Sequence, residues 1–218
     1  KKEISENIFL KSINEISNFA LRHKVKILIE NNVINKKNLI LFNGNPLLLT
    51  HPIDIIKFFK KTPKNVGFLL DVGHLKVSAR TENFNLINSL KKLNKIVTGY
   101  HLSDNDFIED RNLSFSKRSW FIKFLKKRLN YYTIEVYDKN INKIRGIKNF
   151  LEKILNKWFQ FYLYYIYRKV LSKNFSMKKR IYTILEVKSR ELYGKILFSI
   201  QMANKGYSVV IGKKRSLY

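Results

Sequence analysis

The stretch "VGFLLDVGH" at residues 66–74 places an acid and an imidazole at the end of an apolar run. Residues 66–70 carry no polar side chain, which is typical of a strand covered on both faces, as in a parallel sheet. Asp71 and His74 follow at its carboxyl end, where α/β folds place many of their functional side chains. The stretch therefore predicts an α/β fold with a site at this end of the strand.

Strands and helices alternate over most of the chain. The predicted strands are short apolar runs, at 25–31, 66–74, 96–104 and 131–138. The predicted helices carry apolar residues near helical spacing and lie at 4–23, 53–61, 83–93, 118–129 and 141–155, with 32–51 as a long irregular loop. This alternation predicts four parallel βα units joined by right-handed crossovers.

Polar residues that can bind a metal end each predicted strand: Glu30, Asp71 with His74, His101 with Asp104, and Glu135. Any one of them is more simply explained as a cap of the next helix, but that explanation is weak for four strands in succession. Carboxylates with one imidazole suit a single divalent ion, and Mn²⁺, Mg²⁺, Co²⁺ and Zn²⁺ all remain candidates. A thiolate site is excluded because the chain has no cysteine.

The motifs "LIEN", "LLDVGH", "GYHLSDND" and "TIEVYD" resemble, in order and spacing, the second half of the xylose isomerase-like TIM barrels. That superfamily contains sugar and sugar-phosphate isomerases and epimerases, and also metal-dependent apurinic-site endonucleases. The resemblance covers roughly residues 5–155 and implies the second half of a (β/α)8 barrel within residues 1–156. It also implies that one divalent ion is bound by four ligands: Glu30, Asp71, His101 and Glu135.

The resemblance further implies a sugar isomerase or epimerase chemistry. A metal ion polarises a ketose carbonyl and its neighbouring hydroxyl, which lowers the energy of the enediolate. Glu30 and Glu135 are then the catalytic carboxylates that remove and return the proton. His74 matches the substrate-contacting histidine of the family. Arg111 is a candidate for contact with a substrate oxygen, with a solvated loop arginine as the alternative.

Two departures from the family pattern bear on the choice among the possible functions. Where the endonucleases carry Asp-x-His, this chain has Asp110 followed by Asn112, which favours a sugar site over an apurinic-site endonuclease. The four preceding βα units are not in this sequence, so we expect further domains of a longer parent chain to supply them. Half a barrel alone has two open sheet edges, and a non-catalytic interaction module is therefore a third possibility.

The residues after 156 differ in composition. Residues 157–180 form an aromatic and basic linker, and its stretch 158–171 is interpreted either as a helix packed between domains or as an interfacial helix on anionic lipid. Residues 181–218 predict a strand at 182–187, a helix at 191–205 and a strand at 207–212. They resemble the start of surface carbohydrate biosynthesis proteins, with a Rossmann-like, glycosyltransferase-like fold, on Glu186, Arg190-Glu191-Leu192, Lys195, Gly206 and "VVIGKKRS" at 209–216.

The composition is strongly basic, with 43 Lys and Arg against 16 Asp and Glu and a formal charge of +27. Such a charge suits nucleic acid or an anionic membrane. The basic residues are scattered, however, and the abundance of Lys, Asn and Ile is typical of AT-rich coding sequence, so we expect no specific nucleic-acid partner. The lack of cysteine and of a long apolar run predicts a cytoplasmic protein, with contact at the inner face of the membrane if 158–171 is interfacial.

Overall fold

The computed structural model describes residues 2–155, 180–185 and 208–213. Helices and strands alternate in it, in the order α1 (Lys2–Arg22), β1 (Ile27–Glu30), α2 (Lys36–Leu41), α3 (Pro52–Phe59), β2 (Val66–Asp71), α4 (Val72–Thr81), α5 (Leu86–Leu93), β3 (Val97–Leu102), a 3-10 turn (Ile122–Phe124), β4 (Tyr131–Ile134), α6 (Ile141–Leu155), β5 (Arg180–Leu185) and β6 (Ser208–Lys213). The predicted α/β class is therefore confirmed.

The first four strands form one parallel sheet in the order β1-β2-β3-β4. Parallel neighbours share their carboxyl ends, and the register sets Asp71 beside His101. Side chains alternate between the two faces of the sheet along each strand. Those on one face pack against the helices and form the core, and those on the other face point away from these helices. Phe68, Leu70 and Tyr100 on the helix side are fully enclosed, because helices cover that face.

Helix α4 was not predicted from the sequence. The strand expected to run through residue 74 ends at Asp71, and α4 follows without a loop. Asp71 is the cause, because its Oδ1 accepts a hydrogen bond from the backbone N–H of His74 at 2.8 Å and so caps the helix. His74 consequently lies in the first turn of a helix, directly beside the sheet end.

Two other predictions were wrong. The helix expected at 118–129 is only the short 3-10 turn, since side chains from elsewhere bind the backbone groups that a helix would use: Tyr100 Oη accepts from the N–H of Lys126, and Asn94 donates to the carbonyl of Phe124. The segment 32–51 is not wholly irregular, because α2 forms within it. Asn35 starts α2 by accepting from the N–H of Asn38 at 2.8 Å.

Strands β5 and β6 pair in parallel, from Arg180 beside Ser208 to Leu185 beside Lys213. A parallel pair close in sequence requires a crossover between its strands, as in the predicted βαβ unit. The predicted helix at 191–205 and the aromatic stretch 158–171 lie outside the described residues. Among the residues that the structure describes, no helix is both long and apolar enough to cross a membrane.

Two glycines test how α4 packs. A methyl group at Gly73 would collide with Ser103 Oγ and lie 2.7 Å from Asn105 Nδ2, and both neighbours are buried. We expect Gly73→Ala to lower the free energy of unfolding by roughly 1–3 kcal/mol. Gly146→Ala is the control: nothing lies within 4 Å of a methyl group there, and replacing a helical glycine should stabilise by about 0.5–1 kcal/mol. Urea denaturation measures both, and a Gly73→Ala chain of unchanged stability would contradict this packing.

Candidate metal centre

Four side chains at the carboxyl end of the sheet meet at one point. Glu30 and Asp71 are the last residues of β1 and β2, His101 is near the end of β3, and Glu135 follows β4 directly. One ligand atom of each lies within 4.8 Å of the corresponding atoms of the other three. Ligands around 2.0–2.3 Å from a common ion are separated by such distances, so these four residues could hold a divalent metal.

Side chains from both edges of the sheet reach the same imidazole. Glu30 ends the edge strand β1, and Glu135 follows the other edge strand, β4. Both approach one nitrogen, since Nδ1 of His101 lies 3.4 Å from Glu30 Oε2 and 2.9 Å from Glu135 Oε2. All four strands therefore contribute to one cluster.

Asp71 is the buried member of the cluster. Its side chain is fully enclosed, and its Oδ1 is occupied as the cap of α4. Its Oδ2 is buried and has no hydrogen-bond partner among the described residues. Capping of α4 thus gives a hydrogen-bond donor to Oδ1 only. Oδ2 is directed at the cluster without a donor, and a buried polar atom without a hydrogen bond lowers the stability of the fold.

His101 presents a second atom of this kind. Its Nδ1 is near two carboxylates, but neither contact has the geometry of a hydrogen bond, and the atom has no such partner within the described part of the chain. Buried side-chain atoms without a partner are rare in proteins, and two of the four found in the described residues belong to this cluster. A cation bound between the four side chains would satisfy both atoms at once.

The electrostatics of the cluster favour a positive charge at its centre. Burial, together with the charges of Glu30 and Glu135, raises the pKa of Asp71 to about 7, although His74 opposes the shift. Burial alone would lower the pKa of His101, but contacts with Glu135 and Glu30 outweigh it and raise this pKa to about 10. The pKa of Glu30 is lowered despite burial, because His101 and His74 stabilise its charged form.

His74 lies beside this centre, with its Nδ1 3.2 Å from Glu30 Oε1 and its Nε2 3.7 Å from Asp71 Oδ2. Its Nδ1 donates to the carbonyl of Asn31 at 2.8 Å, and its Nε2 lies 3.2 Å from Asp110 Oδ2. Burial opposes the charged form, but Asp71, Asp110 and Glu30 raise the pKa of His74 well above its ordinary value. The structure therefore places His74 next to the ligands, where its expected contact with a sugar stays a prediction.

Asp110 reaches His74 because residues 104–113 form a closed loop after β3. Asp104 and Leu113 exchange backbone hydrogen bonds of 2.8 and 2.7 Å across the base of this loop. Asp104 itself, which the sequence placed among the strand-end polar residues, pairs with Lys76 at 2.6 Å and does not join the cluster.

Arg111 pairs with acidic residues of its own loop. Its guanidinium contacts Asp106 and Glu109 at 3.4 Å each, and its side chain is 54% exposed. Its predicted contact with a substrate oxygen stays a prediction.

Sequence reasoning missed the role of Asn31. Its side chain bonds to the backbone of Asp71 on the neighbouring strand, and its only signal in the sequence is its place directly after Glu30.

Compared with known proteins, the chain matches no protein-family model, no curated protein and no solved structure. The fold and site thus define a parallel α/β sheet with a candidate divalent-metal centre at its carboxyl end.

Metal affinity should depend on pH. Without an ion, protons occupy His101, with its pKa of about 10, and part of Asp71, with its pKa of about 7. An ion must displace these protons, so lowering the pH weakens binding. We expect the association constant for Mn²⁺ to rise about tenfold or more per pH unit between about pH 6 and pH 8.

Calorimetric titration in buffers of different ionisation enthalpy measures the released protons directly. His101→Asn should bind Mn²⁺ weakly and release about one proton fewer. His23→Asn is the matched control, because the His23 ring packs on Phe19 and is not one of the four cluster residues. Binding that is independent of pH would show that the four side chains do not share one ion.

Proposed function

We propose that this chain is part of a divalent-metal-dependent sugar or sugar-phosphate isomerase or epimerase, and that residues 2–155 form half of a xylose isomerase-like (β/α)8 barrel. The observation that carries the proposal is the cluster of four potential ligands, in which the buried atoms Asp71 Oδ2 and His101 Nδ1 have no hydrogen-bond partner among the described residues. The ion, when bound, polarises a carbonyl and the neighbouring hydroxyl of the substrate.

Connectivity supports the half barrel. Four parallel strands in sequential order are the arrangement expected of one half of an eight-stranded barrel, and the convergence of Glu30 and Glu135 is compatible with a barrel wall. The ligands lie at the carboxyl ends of the strands, where the barrels of this class carry their active sites. We infer that further strands of a longer parent chain pair with the edges β1 and β4.

The exposure of the ligands divides their roles. Asp71 is sealed within the protein, so beyond capping α4 it could hold the ion but could not reach a substrate. Glu30 and Glu135 keep 31% and 29% of their side chains exposed and come from opposite edges of the sheet. A substrate over the cluster would therefore have one carboxylate on each side. One removes the proton from the carbon next to the carbonyl, and the proton is returned at the neighbouring carbon or on the other face.

The runner-up is an apurinic-site phosphodiesterase on the same fold. Asp110 does lie next to His74, as would be required if these two residues bound a further ion. The third ligand is missing, however, because Asn112 is 4% exposed and accepts a hydrogen bond from Ser103 Oγ at 3.2 Å. An amide held in the interior of the loop is a poor replacement for an imidazole ligand, and this favours the sugar reaction.

The resemblance of residues 181–218 adds a setting for the reaction. Proteins of surface carbohydrate biosynthesis use activated or phosphorylated sugars, so we infer that the substrate belongs to surface polysaccharide synthesis. A non-catalytic interaction module remains the third alternative, and it predicts no exchange with any sugar.

Proton exchange tests the proposed chemistry. In the full-length protein loaded with Mn²⁺, deuterium from solvent should enter candidate ketoses at the carbon next to the carbonyl. Glu135→Gln should reduce this exchange by roughly 10²–10⁴-fold, since an amide cannot accept the proton and removes a charge from the ion's site. His74→Asn should retain Mn²⁺ affinity while exchange falls, because His74 is assigned to the sugar.

Glu152→Gln is the control, because Glu152 forms only a surface pair with Lys148 on α6 and should keep full exchange. Unchanged exchange in Glu135→Gln would overturn the catalytic role. Cleavage of abasic DNA without exchange in any sugar would instead move the function to the runner-up.

A further inference from the structure

Asn31 binds the backbone of a metal ligand on the neighbouring strand. It is the first residue after β1, and it is 1% exposed. Its Oδ1 accepts from the N–H of Asp71 at 2.8 Å, and its Nδ2 donates to the carbonyl of Asp71 at 3.1 Å. A backbone N–H only donates and a carbonyl only accepts, so these two bonds fix the orientation of the amide.

These bonds continue the sheet beyond its last backbone pair. The register of β1 with β2 ends where Glu30 lies beside Leu69, two residues before Asp71. The Asn31 side chain thus takes the place that a further strand residue would have beside Asp71. On its other side Asp71 pairs with His101 of β3. Asp71 is therefore held from both neighbouring strands.

A third bond connects the same residue to His74. The carbonyl of Asn31 accepts from His74 Nδ1 at 2.8 Å, so the proton is on Nδ1 and the ring turns Nε2 toward Asp110. One residue consequently orients both the buried ligand and the histidine beside it. Asn31 makes these contacts through its side-chain amide and through its main-chain carbonyl.

We propose that Asn31 is a positioning residue of the metal centre, which holds Asp71 Oδ2 toward the ion and sets the ring orientation of His74. The inference rests on the metal centre of the proposed function, but not on which substrate that centre acts on. Outer residues that orient metal ligands typically change metal affinity by roughly 10- to 100-fold when they are replaced.

Asn31→Leu removes both side-chain bonds at similar size, and Asn31→Ala is a milder second variant that leaves room for water at the Asp71 backbone. Asn32→Leu is the matched control, because Asn32 also donates to a backbone carbonyl, that of Leu48 at 2.8 Å, but touches no ligand. In the full chain, with folding checked by circular dichroism, Co²⁺ titration should show a roughly 10- to 100-fold loss for both Asn31 variants. The control should stay within about twofold and keep the visible spectrum of bound Co²⁺.

A double-mutant cycle separates positioning from general stability. Asp71→Asn keeps the oxygen that caps α4 but loses the charged ligand oxygen. If Asn31 acts through Asp71, Asn31→Leu should change Co²⁺ affinity by less than about twofold in this background. In the Glu135→Gln background, where Asp71 is intact, its full effect should persist.

The results distinguish this inference from the function on which it rests. The positioning role would be overturned if Asn31→Leu lost the same Co²⁺ affinity in the wild-type and the Asp71→Asn backgrounds, or if Asn32→Leu lost as much. The metal centre would stand in either case. A wild-type chain that binds neither Mn²⁺ nor Co²⁺ would overturn both. Normal metal binding without exchange in any sugar would remove the proposed reaction and leave the role of Asn31 intact.

Discussion

The buried carboxylate of Asp71 is the constraint on which the rest of the site depends. A charge enclosed at the end of β2 costs several kcal/mol unless a partner offsets it. One of its oxygens caps α4, so the other must find a positive charge nearby. His74 and His101 provide that charge as imidazolium groups when they are protonated, and a divalent cation would provide it in their place. Proton and metal therefore compete for the same position.

Parallel pairing turns this local requirement into a centre of four residues. Because neighbouring strands share their carboxyl ends, the residues at the ends of β1 to β4 lie at one edge, and the long side chains of the outer two reach the same cluster. Glu30 and Glu135 remain accessible at this edge, whereas Asp71 is sealed beneath them. The position of each carboxylate in the sheet thus decides whether its side chain is enclosed or accessible from outside.

The sequence contained enough information for the parallel sheet and for the meeting of the four ligands, because apolar runs ending in polar residues report both burial and direction. Helix α4 was not predicted, because Asp71 is at once a strand end and a helix cap, and residues 72–74 were assigned to the strand. The helix expected at 118–129 failed for a different reason: Tyr100 and Asn94, distant in sequence, bind its backbone groups. Asn31 was missed because its bonds to Asp71 span 40 residues of chain.

Burying the charged and polar groups of the cluster costs free energy that folding alone does not require. Well-packed apolar residues often replace buried charged groups at no loss of stability, yet here a buried carboxylate and two imidazoles are gathered at one point, and two of their atoms have no hydrogen-bond partner. The other two such atoms in the described part of the chain, Glu82 Oε2 and Trp120 Nε1, occur singly. A bound ion would recover this cost, since a ligand present at about 100 times its Kd adds about 2.7 kcal/mol to the stability of the folded chain. Because α4 and the loop after β3 are both held in contact with Asp71 or its neighbour His74, that energy would act on the elements that surround the substrate. Metal binding and the order of the proposed active site are therefore one equilibrium.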